Sequence, residues 1–311
     1  MNANILVFII QAFVLCIFAH QSANDIVVEQ SEFAGDENPT SFLKKEYSLS
    51  KPFQGHWDFG GSTVIASDFI RLTPDSQSHR GAVWCKIPVR MRHWEVQMHF
   101  RVHGSSGNLF GDGIAFWYID PAVSKFNGPV FGMQDKFRGL GVLLDTYSNH
   151  NGPHSHDHPY ISAMVNNGSL AYDHDRDGTH SQLDGCTARF RNRDHDTLLS
   201  IRYVNNALLV ATDIENKQIW QPCFRVPNVK LPTHFVFGVS AMTGDLSDNH
   251  DLLSVKVYEI EPLTWTPKPT VGWSFLRIFL LVLFCAIGLV TLLVLGLVYH
   301  TRQQRNKKRF Y

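Results

Sequence analysis

Between Phe42 and Pro262 the sequence has no long stretch in which apolar residues recur at helical spacing, which excludes a helical bundle as the scaffold of its largest part. It has no charge bias: 28 basic and 28 acidic residues leave a formal net charge of zero, so nothing in the composition points to nucleic acid. The segment after Glu261, "PLTWTPKPTVGW", has no heptads and is rich in proline, which makes 263–276 a short semi-rigid stem and excludes a coiled coil there. Glutamate is scarce: after Glu46 the part before the stem holds only Glu95, Glu215, Glu259 and Glu261. Cysteine is scarce too. Of the 5 in the chain, Cys16 and Cys285 fall in long apolar runs, leaving Cys85, Cys186 and Cys223.

What is present at the two ends sets the topology. Residues 1–23 carry an apolar run from Ile5 to Ala19 followed by small and polar residues, the pattern of a secretory signal peptide whose n-region lacks Lys and Arg; cleavage is expected between Ala19 and Ala23. Near the other end, Ile278 to Tyr299 is free of charge and, at about 1.5 Å per residue, long enough for a hydrocarbon core of about 30 Å, so 277–299 is expected to span a membrane. Residues 300–311 follow with Arg302, Arg305, Lys307, Lys308 and Arg309 and no acidic residue, which places this tail in the cytosol and the N-terminal bulk in the lumen. In that oxidising compartment one disulfide and one free thiol are expected. Cys186 and Cys223 flank the hairpin at Asn205-Asn206 and are the natural pair, while Cys85 reads as a small packed hydrophobe.

The bulk reads as strands. In "WEVQMHFRV", Trp94, Val96, Met98, Phe100 and Val102 alternate with Glu95, Gln97, His99 and Arg101, a period of two with one wet face. "LLSIRYV" and "ALLVATDI" lie either side of Asn205-Asn206, residues that tolerate positive φ, and so form a hairpin; "HFVFGVSA" and "LLSVKVYEI" make another pair. An all-β antiparallel sandwich over 42–262 follows, preceded by a segment at 24–41.

Chemistry gathers in one loop. "LLDTYSNHNGPHSHDH", from Leu143, offers oxygen donors suited to calcium and imidazoles suited to zinc or copper, and by itself leaves the two open. Taken singly, Asp145 reads as a strand-end turn residue, and Asp173, Asp175 and Asp177 as a solvated acidic turn. "GDGIAFWY" from Gly111 and "YDHDRDG" from Tyr172 likewise put carboxylates beside glycine near strand ends. Together these three segments resemble the leguminous-type (L-type) lectins, and "RLTPDSQSHRG", "MVNNGSLAYDH", "FRNRDHDT" and "TGDLSDNHD" narrow the resemblance to the animal L-type lectins of the early secretory pathway.

The resemblance implies a legume-lectin-like jelly roll that binds high-mannose N-glycans with Ca2+ and works as a cargo receptor cycling between endoplasmic reticulum and Golgi. It makes the Asp145 carboxylate, the Tyr147 carbonyl, the Asn149 side chain and the Asp177 carboxylate the calcium ligands. Asp112 and Asn149 become the principal sugar-binding residues, with Ser78, His174 and the Gly244-Asp245-Leu246 turn at the rim and the Tyr147 ring against the sugar. It implies a cis peptide at Gly111-Asp112. In plant members a glutamate two residues before the calcium Asp serves a transition metal; Leu143 stands there, so manganese is not expected. The tail "KKRFY", Lys307, Lys308, Arg309, Phe310 and Tyr311, is similar to signals read by vesicle coats, the aromatic pair for export and the basic residues for retrieval.

Plainer readings apply elsewhere. His150, His154, His156 and His158 have spacing too loose for a zinc site and read as an exposed loop. "RNRDHD" from Arg191 reads as a salt-bridged turn, Trp94 and Trp117 as core, and Asn167-Gly168-Ser169 as a glycosylation sequon. A sandwich hydrolase needs two carboxylic acids about 5–9.5 Å apart, usually with Glu as the acid, and no glutamate falls in the proposed mouth, so no enzyme is expected. Quality control, retrieval or adhesion are the other functions compatible with a glycan-binding module. Because free histidine titrates near 6.5, glycan affinity is expected to fall between about pH 7 and 6, with His174 as the leading cause.

Overall fold

The computed structural model describes residues 40–122, 126–149 and 156–261, and in the C-terminal part 283, 287, 290–302 and 305. The chain divides into two units, Met1–Pro262 and Leu263–Tyr311. In the first unit the strands run β1 (Thr40–Leu43), β2 (Trp57–Gly61), β3 (Val64–Ile65), β4 (Ile70–Thr73), β5 (Arg80–Cys85) and β6 (Trp94–His103). There follow β7 (Gly113–Ile119), β8 (Phe126–Gly128), β9 (Gly132–Met133), β10 (Arg138–Asp145), β11 (Tyr160–Asn167) and β12 (Asp184–Thr187). The last five are β13 (Thr197–Val204), β14 (Ala207–Asp213), β15 (Gln221–Val226), β16 (Val236–Met242) and β17 (Asn249–Glu261).

They form the expected antiparallel sandwich. One sheet has the order β15-β14-β13-β6-β17-β4-β3, with β1 also on β17; the facing sheet runs β12-β11-β10-β7-β16-β5-β2. Alternation explains the first sheet. On β6, Trp94, Val96, Met98, Phe100 and Val102 enter the core between the sheets, and Arg101 is exposed on the other face. Asn205 and Asn206 take φ of 51° and 60° in the β13–β14 hairpin, as their side chains permit. The Cys186–Cys223 disulfide joins β12 to β15, the edge strands of the two sheets, and Cys85 is free and buried.

The second sheet does not alternate, for a physical reason. Ile114, Phe116 and Tyr118 of β7 face the main core, while Ala115, Trp117 and Ile119 enter a second apolar cluster with Val130, Phe131, Phe137 and Tyr172. The segments around 126–137 and Tyr172 cover the outer face of the sheet, so β7 is buried on both sides. Trp94 and Trp117 are both core residues, and the Trp117 indole N–H donates to Ser240 Oγ at 2.7 Å. This covered face is the platform on which the site stands.

In the second unit, 290–302 are helical. Among the described residues no helix is long and apolar enough to cross a membrane. The span expected at 277–299 falls in part outside the described residues, and the signal peptide, the stem from 263, His150, His154 and the tail residues Lys307, Lys308, Arg309, Phe310 and Tyr311 fall wholly outside them.

Candidate functional site

Register assembles the site. β10 ends at Asp145 and β7 begins at Gly113, and the two residues are paired, so Asp112 and Asp145 emerge side by side at one end of the sheet. The Gly111-Asp112 peptide is cis. The Asp112 carbonyl accepts from the Thr146 N–H and hydroxyl, both at 2.9 Å, which ties the two strand ends together. A Cβ on Gly111 would lie 3.2 Å from the Tyr147 Cβ and 3.6 Å from that of Leu246, so three loops meet here.

Asp112 faces the Gly244 turn. A Cβ on Gly244 would stand 3.1 and 3.2 Å from the two Asp112 carboxylate oxygens, and glycine leaves that approach open. Burial, reinforced by the charge of Asp245, raises the Asp112 pKa to about 6, against the pull of Arg80 and a hydrogen bond from the Gly244 backbone. Ser78, at φ 61°, donates its N–H to the Gly244 carbonyl at 3.1 Å, and Gln77 Nε2 donates to the Asp245 carbonyl at 2.6 Å.

Beside Asp112 lies a pair of buried carboxylates. Asp145 Oδ1 accepts from the Tyr147 N–H at 3.0 Å, and Asp177 Oδ1 accepts from the Asn149 N–H at 2.9 Å. Asp177 reaches this position from a left-handed residue, φ 49°, that caps the 3-10 turn His174–Arg176. Burial, then the neighbouring Asp177 charge, holds the Asp145 carboxyl well above the usual range. Tyr147 and Asn149 lie exposed above the pair. The sequence reading left all four loop histidines outside the site, and the structure corrects it. The His158 side chain is 5% exposed, with Nε2 at 3.9 Å from Asp145 Oδ2 and 3.8 Å from Asp177 Oδ2. That nitrogen has no hydrogen-bond partner among the described residues, while Nδ1 lies 3.1 Å from the His156 carbonyl. His156 stacks on Tyr160 with ring centroids 3.5 Å apart. The register places His158: Asp145 also pairs with Tyr160, and His158 stands two residues before it.

These groups suit a divalent cation. Donor atoms of Asp145, His158 and Asp177 lie within 4.8 Å of one another, and a bound cation offsets both the burial and the Asp177 repulsion that raise the Asp145 pKa. Two carboxylates, each accepting from a backbone N–H of the loop that carries Tyr147 and Asn149, favour a hard, oxygen-seeking ion, and burial lowers the His158 pKa, which favours the neutral form able to donate a lone pair. His174 packs edge-on against Tyr172 at 4.7 Å, and burial lowers its pKa below 6.5. The expectation that His174 charges between pH 7 and 6 therefore yields to a lower titration range.

Asn167 lies elsewhere. It pairs with Arg138, at the opposite end of the β10–β11 ladder from Asp145, and its side-chain oxygen accepts from the Ser169 hydroxyl.

The legume-like lectin family matches residues 40–266 of the chain. Vesicular integral-membrane protein VIP36 of Mus musculus is 45% identical over 309 residues, covering 86% of this chain and 85% of that protein. The Homo sapiens VIP36-like protein is 44% identical over 303 residues, covering 87% and 86%. A crystal structure of the VIP36 exoplasmic/lumenal domain in its Ca2+/Man3GlcNAc-bound form superposes with a TM-score of 0.68 at 51% identity, covering 71% of this chain and 91% of that one. With its two-sheet sandwich and its strand-end carboxylates, the chain belongs to the legume-like lectin family.

Proposed function

We propose that this protein is a calcium-dependent lectin that binds high-mannose N-glycans and carries glycoprotein cargo between endoplasmic reticulum and Golgi. The observation that carries the reading is the register that sets Asp112 beside the buried pair Asp145 and Asp177 with His158. Asp145, Asp177, the Tyr147 carbonyl and the Asn149 side chain would hold calcium, with His158 as a supporting donor. Bound there, the ion supplies fixed positive charge that orders the loop carrying Tyr147 and Asn149.

Asp112 accepts hydrogen bonds from two neighbouring sugar hydroxyls, and charge-assisted bonds of this kind are the stronger ones. Asn149 donates to the sugar, the exposed Tyr147 ring packs on its apolar face, and Ser78, His174 and Gly244-Asp245-Leu246 close the rim. In this reading the work of the site is binding. Outside the lectin domain, residues 277–299 would anchor the protein, keeping the domain luminal, and Lys307 to Tyr311 would engage vesicle coats. A glycan array probed with the full chain tests the reading. Selective retention of high-mannose structures in calcium, lost on chelation, is expected; equal binding with the chelator, or preference for glycans without terminal mannose, contradicts it.

A further inference from the structure

Behind the rim lies a buried ion pair that touches neither the calcium group nor Asp112. Arg191 belongs to "FRNRDHDT", a segment that reads from sequence as a salt-bridged turn. Its Nε donates to both Asp248 carboxylate oxygens, at 3.1 and 2.8 Å, and its Nη2 donates to Asp248 Oδ1 and to the Ser106 carbonyl, each at 2.8 Å. Its Cζ lies 3.8 Å from the centroid of the Phe110 ring. The Arg191 side chain is 7% exposed and that of Asp248 0%, so both charges are removed from water and satisfied by one another.

The position of these partners in the chain gives the pair its meaning. Phe110 immediately precedes the cis Gly111-Asp112 peptide, and Asp248 stands two residues beyond Leu246. The third rim loop is joined to the same network. Asp75, three residues before Ser78, accepts from the Ser247 hydroxyl at 2.8 Å and from the Ser105 N–H and hydroxyl at 2.8 and 2.9 Å. Its own N–H donates to Asn249 Oδ1 at 3.0 Å. The backbone is closed tightly over the pair, since a Cβ on Gly104 would fall 2.2 Å from Asp248 Oδ1.

We propose that Arg191 is a positioning residue for glycan binding: stacked on Phe110 and bonded to Asp248, it fixes the turn that carries Asp112 against the Gly244-Asp245-Leu246 turn. The inference rests on the carbohydrate reading above and deepens it. Groups that contact a ligand work only when a supporting layer holds them to within about half an ångström, and Arg191 supplies such a hold through Phe110 on one side and Asp248 on the other. Arginine is required because its planar fork reaches a carboxylate, a carbonyl and a ring at once, which the single point charge of lysine does not.

The test uses the full chain in detergent, with calcium affinity, mannose affinity at saturating calcium and thermal unfolding measured on each variant. Arg191→Met and Arg191→Lys are compared with Arg202→Met. Arg202 serves as the control because it too pairs with a buried carboxylate, that of Glu95 at 5% exposure, on the sheet without Asp112, although its own side chain is 39% exposed. The expected result is a mannose affinity lower by ~10-fold or more in both Arg191 variants with calcium affinity retained, as for other supporting partners of a binding site. Arg202→Met is expected to lose thermal stability and keep its mannose affinity. If Arg191→Met does not fold, Arg191→Lys is read in its place. Mannose bound at the original affinity by the Arg191 variants overturns the proposal, as does parallel loss of calcium, or an equal mannose defect in Arg202→Met. Failure of the unmodified protein to bind mannose is a separate result: it removes the carbohydrate reading and this inference with it.

Discussion

At the scale of single residues the account turns on a division of labour between Asp112 and the pair Asp145 and Asp177. Asp112→Asn keeps the shape and removes the charge, so mannose binding is expected to vanish while calcium binding persists; equal loss of both in calorimetry would contradict the division. His158→Ala is expected to weaken calcium binding by ~10-fold, the usual effect of removing a group that supports a metal site, and an unchanged calcium affinity would return His158 to a packing role. The pH dependence follows from Asp112, whose pKa is raised to about 6. Above that value the carboxylate is ionised and accepts from the sugar; as pH falls through it the group protonates and the affinity drops. Bound calcium opposes protonation, so the fall is expected at lower pH with saturating calcium than with limiting calcium. A mannose affinity flat from pH 7 to 5 under both conditions would refute this. The histidines carry less of the effect than their free pKa implies, because burial lowers both His174 and His158. Asp112, Asp145, Asn149 and Asp177 were legible as candidates because three segments in order resemble one family. The place of His158 was not, because it depends on which residue of β11 pairs with Asp145, and nothing local in a loop rich in Gly, Pro and His states that register.

At the scale of elements, legibility followed solvent. β6 shows its alternation because its outer face is partly open to water, and the hairpin at Asn205-Asn206 shows its turn because both residues need positive φ. β7 and β10 are buried on both faces, so their apolar runs carry no period, and the cover formed by Phe131, Phe137 and Tyr172 leaves no mark on the strands it covers. That cover matters for function, since it leads from the sheet to His174 and Asp177. The disulfide between β12 and β15 holds the sandwich edge, not the site. Replacing Cys186 and Cys223 together by serine is expected to destabilise the domain by about 2–4 kcal/mol in denaturant unfolding while leaving the calcium requirement for mannose intact. A change in that requirement would show that the edge and the site are coupled.

At the scale of the whole molecule, the proposal is of a luminal lectin on a membrane anchor with a coat-binding tail, a receptor that would move with its cargo. Removal of Phe310 and Tyr311 is expected to slow exit from the endoplasmic reticulum in a pulse-chase measurement, without altering mannose binding; unchanged transport would remove the export role from the tail. The central claim is that calcium held by Asp145 and Asp177 enables Asp112 to bind mannose. The most direct measurement is a paired calorimetric titration of the full chain: mannose into protein with and without calcium, and calcium into protein with and without mannose. The account predicts that mannose binds only when calcium is present and that mannose tightens calcium by the same factor that calcium tightens mannose, as two linked sites must. Mannose binding of equal affinity after chelation, or calcium binding indifferent to mannose, would contradict it.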